Sequence, residues 1–323
     1  MDLSTDFLIA TQKRYSGLEL ARVSPEENDL HHDAVNRWLR ERRFSPTQLL
    51  HEVEPFIDRK KGYLIGDDST LDKRYSRKNE LAKLQYSGNV HGLVNGINLV
   101  NLLWTDGSRY VPVDYRLYRK GTADHEGSDK HTLFREMLER MKNKGFSPFY
   151  VLMDTWYASV ETLKFIRSFE WKFVTNLASN RQISVVKGTY GSVQDLDLDP
   201  NRPRRVWLKE FGFVLVCKTV ASNGDVAYLA TNDLSLTDGD VLKRHADERW
   251  KIEEFHRGLK QTTGIEQCYS TKASSQKTHI FAAMKAFIKL EANRIKTGMS
   301  WYEQKAMIPR TAITNHLAFM RCA

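Results

Sequence analysis

Three acidic positions and one basic helix face carry whatever chemistry this chain can do. Asp67 and Asp68 close a short apolar run, Tyr63-Leu64-Ile65-Gly66, and Asp154 closes another, Phe149-Tyr150-Val151-Leu152-Met153. Further on, Arg249, Glu253 and Lys260 recur at i, i+4 and i+11. They form one stripe of a helix whose apolar stripe is Ile252, Phe255 and Leu259. Carboxylates gathered from two strand ends and a helix suit a hard divalent cation, because Mg²⁺ takes oxygen ligands and keeps waters and phosphate in its shell. Two such ions, roughly 3.5–4 Å apart, activate a water or hydroxyl and steady a leaving oxygen. Arg249 and Lys260 suit phosphate oxygens beside them. On spacing alone the commoner reading is plainer: i, i+4 ion pairs on a solvated face, and aspartates serving as turn formers and caps.

The elements that must position these residues can be read outward from them. The run ending at Asp67 precedes two β patterns, His91 to Trp104 and Arg109 to Tyr118, joined by the turn Thr105-Asp106-Gly107-Ser108. A helix from about Lys130 to Lys144, the strand ending at Asp154, a helix over about 158–169 and a strand over 171–175 follow. This order predicts an RNase-H-like α/β fold: a five-stranded mixed sheet whose first three strands form an antiparallel meander and whose fourth lies parallel beside the first. Both aspartates then stand at neighbouring carboxyl ends. Residues 180–236 read as a β-rich insertion, with strands over 206–220 and 225–231. One long helix over about 238–262 resumes the core, which ends in a helical region over about 275–296. The domain boundaries so predicted are 1–60, 61–179, 180–236 and 237–323.

Residues 1–60 read as helices. In the run from His31 to Arg40, Val35, Trp38 and Leu39 form a buried stripe, leaving Asn36, Arg37 and Arg40 outside, with Arg42 and Arg43 beyond. Two short helices with a basic second one suggest a helix-turn-helix module for a DNA major groove. A small helical cap with solvated arginines fits the same residues.

The 49 basic and 40 acidic residues of the 323 leave a charge of +9, which favours a polyanionic partner. Cys217, Cys268 and Cys322 are few and scattered, arguing against a disulfide framework or a structural zinc site. No basic leader or long apolar run stands near the N-terminus, so a soluble, cytoplasmic, nucleoid-associated protein is expected.

The segment Arg249-Trp250-Lys251-Ile252-Glu253-Glu254-Phe255-His256-Arg257-Gly258-Leu259-Lys260 resembles the signature helix of bacterial cut-and-paste insertion-sequence transposases of the DDE class. That family carries Tyr-x-x-Arg-x-x-x-Glu-x-x-x-x-x-x-Lys. Arg249, Glu253 and Lys260 match, while Ala246 stands where the tyrosine belongs. Gly66-Asp67-Asp68-Ser69-Thr70-Leu71 resembles the family's first aspartate motif and Leu152-Met153-Asp154-Thr155-Trp156-Tyr157 its second, over roughly residues 15–300 in all.

The resemblance implies Asp67, Asp154 and Glu253 as catalytic, metal-holding carboxylates for two Mg²⁺ ions, with Mn²⁺ as a substitute. It also implies Arg249, Lys260, Arg257 and His256 as DNA contacts beside Asn36, Arg37 and Arg40. The implied partners are double-stranded DNA, as terminal inverted repeats and target, and a second copy of the chain on that DNA. In relatives, excision passes through hairpins and a tryptophan in the insertion holds a flipped base; Trp207 and Tyr228 here give no clear match. Asp67 and Asp68 compete for the first position, since side chains alternate along a strand; Asp67 keeps the family's register with Leu71. Glu254 lies about 100° round the helix from Glu253, off the Arg249/Lys260 face. His31, His32, His91, His125, His131 and His256 show no metal-ligand spacing and are expected at the surface or on DNA, while Trp156 and Tyr157 are expected to pack. Two other readings are a catalytically silent DNA-binding derivative and a related nuclease without strand transfer.

Overall fold

The computed structural model describes residues 2–25, 30–76, 78–87, 92–119, 121, 127, 129–186, 188–200 and 202–322, with side chains to residue 320. His91, His125 and the side chain of Cys322 lie outside them.

The sheet is built around β1 (Tyr63–Asp72), whose Leu64, Ile65 and Leu71 are buried. β1 pairs antiparallel with β3 (Gly92–Thr105), from Tyr63 opposite Thr105 to Asp72 opposite Gly96. β2 (Lys83–Ser87) and β4 (Val111–Tyr118) share the other edge of β3. From Gly96 to Thr105, β3 is buried without interruption, as a strand covered on both faces should be. β5 (Tyr150–Met153) lies parallel beside β1, Tyr63 to Gly66 facing Tyr150 to Met153, and β6 (Phe173–Leu177) lies parallel beside β5.

Two expectations change here. The first strand does not stop at Asp67 but continues to Asp72, because β3 goes on supplying hydrogen bonds after β5 ends. Among the described residues the sheet also has eleven strands rather than five. In the 180–236 segment, β7 (Gln182–Ser184), β8 (Gly191–Ser192), β9 (Arg204–Leu208), β10 (Gly212–Val220) and β11 (Val226–Thr231) extend the same sheet, joined through antiparallel pairing of β11 with β6. The single strand expected over 206–220 is two, folded back at Glu210, whose φ is 63°.

Capping sets the helices. Ser45, with Gln48 completing a capping box and Pro46 in the first turn, starts α4 (Pro46–Val53). Asp129 accepts a hydrogen bond from the Thr132 N–H (2.9 Å) and starts α5 (Lys130–Asn143); Ser159 does the same for α6 (Val160–Ser168) from Thr162 (3.1 Å). At Gly66 an added Cβ would lie 2.1 Å from the Phe134 ring, so only glycine lets α5 settle against β1 beside the first aspartates.

At the N-terminus, α1 (Asp2–Ala10), α2 (Gly17–Val23) and α3 (His32–Glu41) are present. Val35 is buried, Trp38 and Leu39 pack on the core, and Asn36, Arg37 and Arg40 are exposed. α1 and α3 pack on α9 (Ala273–Thr297), α2 packs on α3, and α4 packs on β4 and α9.

The long helix expected over 238–262 is two, α7 (Gly239–Asp247) and α8 (Trp250–Thr263), separated by a turn at Glu248-Arg249. Ile252, Phe255 and Leu259 of α8 are buried, as expected; a fully buried side chain of this size contributes roughly 1.5–3 kcal/mol. Beyond the helical region expected over about 275–296, α10 (Trp301–Cys322) follows α9 and carries Pro309 inside it. Its Trp301 packs on α8 so closely that a Cβ at Gly258 would lie 2.7 Å from the indole, whereas Ile313, Leu317, Phe319 and Met320 are exposed. No helix among the described residues is long and apolar enough to cross a membrane.

Candidate active site

At the point where β5 ends beside β1, a cavity of about 960 Å³ opens. It is lined by Asp67, Asp68, Asp154, Glu253 and His256, with the cations Lys130, Arg249, Arg257 and Lys260 and the indoles of Trp156 and Trp250 around them. Donor atoms of Asp67, Glu253 and His256 all lie within 4.8 Å of one another. Asp154 lines the same cavity without joining that close group.

The two adjacent aspartates differ in what they touch. Asp68 turns toward α5: its carboxylate accepts from Lys130 Nζ (2.8 Å), Asn98 Nδ2 (2.7 Å) and the Tyr157 hydroxyl (2.9 Å). Asp67 turns toward α8, with Oδ1 accepting only the Asp68 N–H (2.8 Å) among the hydrogen bonds seen. Burial, then the nearby carboxylates of Glu253, Asp154 and Asp68, hold the Asp67 carboxyl well above its ordinary range. Burial also raises Asp154, against the Tyr157 N–H that its Oδ1 accepts at 2.9 Å.

On α8, Arg249 pairs with Glu253 at 3.6 Å across one turn. Lys260 Nζ donates to the Thr70 carbonyl (2.7 Å) and lies 3.4 Å from Glu266. Arg257 is exposed at the rim. Glu254 points elsewhere, accepting from the Tyr110 hydroxyl (2.6 Å), in line with its position round the helix. Asn36, Arg37 and Arg40 do not line the cavity; they stand exposed on α3.

Two expectations are corrected. His256 is buried at 7% exposure, not at the surface, and its Nε2 lies 3.0 Å from Asn101 Nδ2; burial lowers its pKa to about 3. Tyr157 packs as expected, but Trp156 is 51% exposed, stacked on His131 (ring centroids 4.2 Å apart) over the cavity.

Sequence reasoning missed Lys130, Asn98 and Asn101. Asn101 stands opposite Asp67 in the β1–β3 register, and Asn98 opposite Thr70. Alternation says which face a residue takes but not which residue lies across from it, so only pairing could find them.

Two comparisons bear on this geometry. Residues 2–187, holding Asp67 and Asp154, match the family described as DDE superfamily endonuclease. Residues 110–301, holding Asp154 and Glu253, match the archaeal ISC1217-type transposase family. No curated protein matches the chain. With each match covering more than half of the chain and the two together spanning all three acidic positions, this chain belongs to the DDE superfamily endonucleases, of the insertion-sequence transposase kind.

Proposed function

We propose that the chain binds terminal inverted repeats and catalyses metal-dependent DNA cleavage and strand transfer at the cavity between β1, β5 and α8. The observation that carries this reading is the convergence of Asp67, Glu253 and Asp154 in one cavity rimmed by cations. Burial first, and then the like charges of Glu253, Asp154 and Asp68, raise the Asp67 carboxyl, which accords with a site that a cation would neutralise. The donor chemistry fits Mg²⁺, with Mn²⁺ as a substitute, held by Asp67, Asp154 and Glu253. Bound there, the ions supply Lewis acidity to a scissile phosphate and to the attacking oxygen.

The remaining roles belong to the chain's own side chains. Arg249 orients Glu253 and, with Lys260 and Arg257, offers positive charge to the phosphates on either side of the scissile bond. Lys130 neutralises Asp68, which braces β1 against α5 instead of serving as a ligand. Residues 1–60, through Asn36, Arg37 and Arg40, read the element's ends. Residues 61–179 and 237–323 form an RNase-H-like core, and 180–236 extend it as an insertion. The active form is a homodimer assembled on DNA.

The test is cleavage and joining of DNA bearing the element's own ends with Mg²⁺ or Mn²⁺. Both products from the unaltered chain support the reading; binding without chemistry supports a silent derivative, and cleavage without joining a plain nuclease.

A further inference from the structure

The β1–β3 register sets Asn101 opposite Asp67, so both side chains leave the sheet on the face that α8 covers. His256, one turn beyond Glu253 on α8, enters the same space and brings a ring nitrogen within 4.8 Å of carboxylate oxygens of Asp67 and Glu253. A nitrogen so placed is near enough to share an ion with them. What Asn101 does decides whether it can.

Asn101 is fully buried, and its Nδ2 has two neighbours: the Leu99 carbonyl at 3.2 Å and His256 Nε2 at 3.0 Å. An amide nitrogen carries two protons and accepts none. With one donated to Leu99, the other goes to Nε2, which must then present its lone pair. Reversing the amide would put its oxygen 3.2 Å from the Leu99 oxygen, two acceptors face to face. Asn101 Oδ1 is left buried without a hydrogen-bond partner in the orientation seen. A neutral ring that accepts at Nε2 carries its one proton on Nδ1. Neither nitrogen then has a lone pair free for a metal.

We propose that Asn101 fixes His256 in the Nδ1–H tautomer and so keeps it out of the metal shell, leaving an oxygen donor set. Asn101 is in this view a positioning residue for metal specificity. An imidazole ligand would favour Zn²⁺, whereas carboxylate and water suit Mg²⁺ and Mn²⁺. This rests on the metal-site reading above for its purpose, though not for its test.

The tautomer is read in the metal-free full-length chain by long-range ¹H–¹⁵N correlation with ¹⁵N-labelled histidine, His256 being assigned as the signal lost in His256→Gln. The Nδ1–H pattern is expected; the Nε2–H pattern overturns the proposal. With Mn²⁺ bound, pulsed EPR needs no assignment: absence of a directly coordinated ¹⁴N supports the proposal, and its presence overturns it. Failure of Mn²⁺ to bind would contradict the metal-site reading while leaving the tautomer result to stand. Asn101→Asp can accept from Nε2–H and frees Nδ1. It is expected to bring a nitrogen coupling into the Mn²⁺ spectrum and raise affinity for Zn²⁺ over Mg²⁺ by about tenfold. A folded Asn101→Asp chain with no nitrogen coupling and unchanged preference counts against the role of Asn101.

Discussion

Asp67 and Asp68 are neighbours on β1, yet their carboxylates serve opposite layers: Asp67 shares a pocket with Glu253 of α8, while Asp68 is tied to Lys130 of α5 at 2.8 Å. Strand alternation makes this division unavoidable. Under the proposed function the first serves the chemistry and the second holds the layers together.

Replacement should separate the two. Asp67→Asn is expected to leave DNA binding intact and lower metal-dependent cleavage by about 10³-fold or more, an effect on the order of 4 kcal/mol in the barrier. Asp68→Asn weakens bonds from Lys130, Asn98 and Tyr157. Hydrogen bonds to charged groups are worth about 1.5–3 kcal/mol each, so its main expected effect is a lower melting temperature. Thermal unfolding and single-turnover cleavage of both variants check the assignment; the reverse pattern would exchange the roles.

The raised Asp67 carboxyl has a consequence for stability. When the folded-state pKa of an acid is raised, the folded chain keeps a proton that the unfolded chain has released between the two pKa values. The stabilisation is full below the unfolded pKa and is lost as pH rises through the folded one. At neutral pH the metal-free site therefore destabilises the fold. Asp67→Asn should raise the melting temperature in EDTA at neutral pH by about 2 °C, and Mg²⁺ should stabilise the unaltered chain but not the variant. A variant that melts lower in EDTA at neutral pH would show that the cluster carries no such strain.

Much of this site was legible in the sequence because its parts obey local periodicity. Asp154 follows an apolar strand, and Glu253 and Lys260 follow from the 3.6-residue repeat that buries Ile252, Phe255 and Leu259. The extension of β1 past Asp67 was not legible, because it depends on which strand remains alongside. Nor was the burial of His256, whose ring meets Asn101, the residue across the sheet from Asp67. The join of β11 to β6 is likewise non-local, and the unbroken course of α10 was hidden by Pro309, a residue that ordinarily argues against a helix.

The exposed basic face of α3 predicts a separable defect. Arg37→Ala with Arg40→Ala should weaken binding to the specific ends, with about 1–3 kcal/mol lost for any arginine that reads a base. Neither residue lines the candidate cavity, so residual cleavage of non-specific DNA should not change. Competition binding at fixed salt measures the first and a nicking assay the second. Equal losses on specific and random DNA would make these arginines phosphate contacts only.

Arg249 stands 3.6 Å from Glu253 and also lines the cavity. Arg249→Ala should weaken DNA binding and reduce the slope of log affinity against log salt by about one if the guanidinium neutralises a phosphate. An unchanged slope with slower cleavage would confine Arg249 to orienting Glu253.

The central claim is that Asp67, Asp154 and Glu253 form one metal-dependent centre for cutting and joining DNA. The most direct measurement compares the unaltered chain with Asp67→Asn, Asp154→Asn and Glu253→Gln on DNA carrying the element's ends, with Mg²⁺, with Mn²⁺ and with EDTA. The account predicts cleaved and joined products from the unaltered chain with either metal, none in EDTA, and variants that bind the same DNA but yield neither product. Products that persist in any of the three variants, or in EDTA, would contradict it.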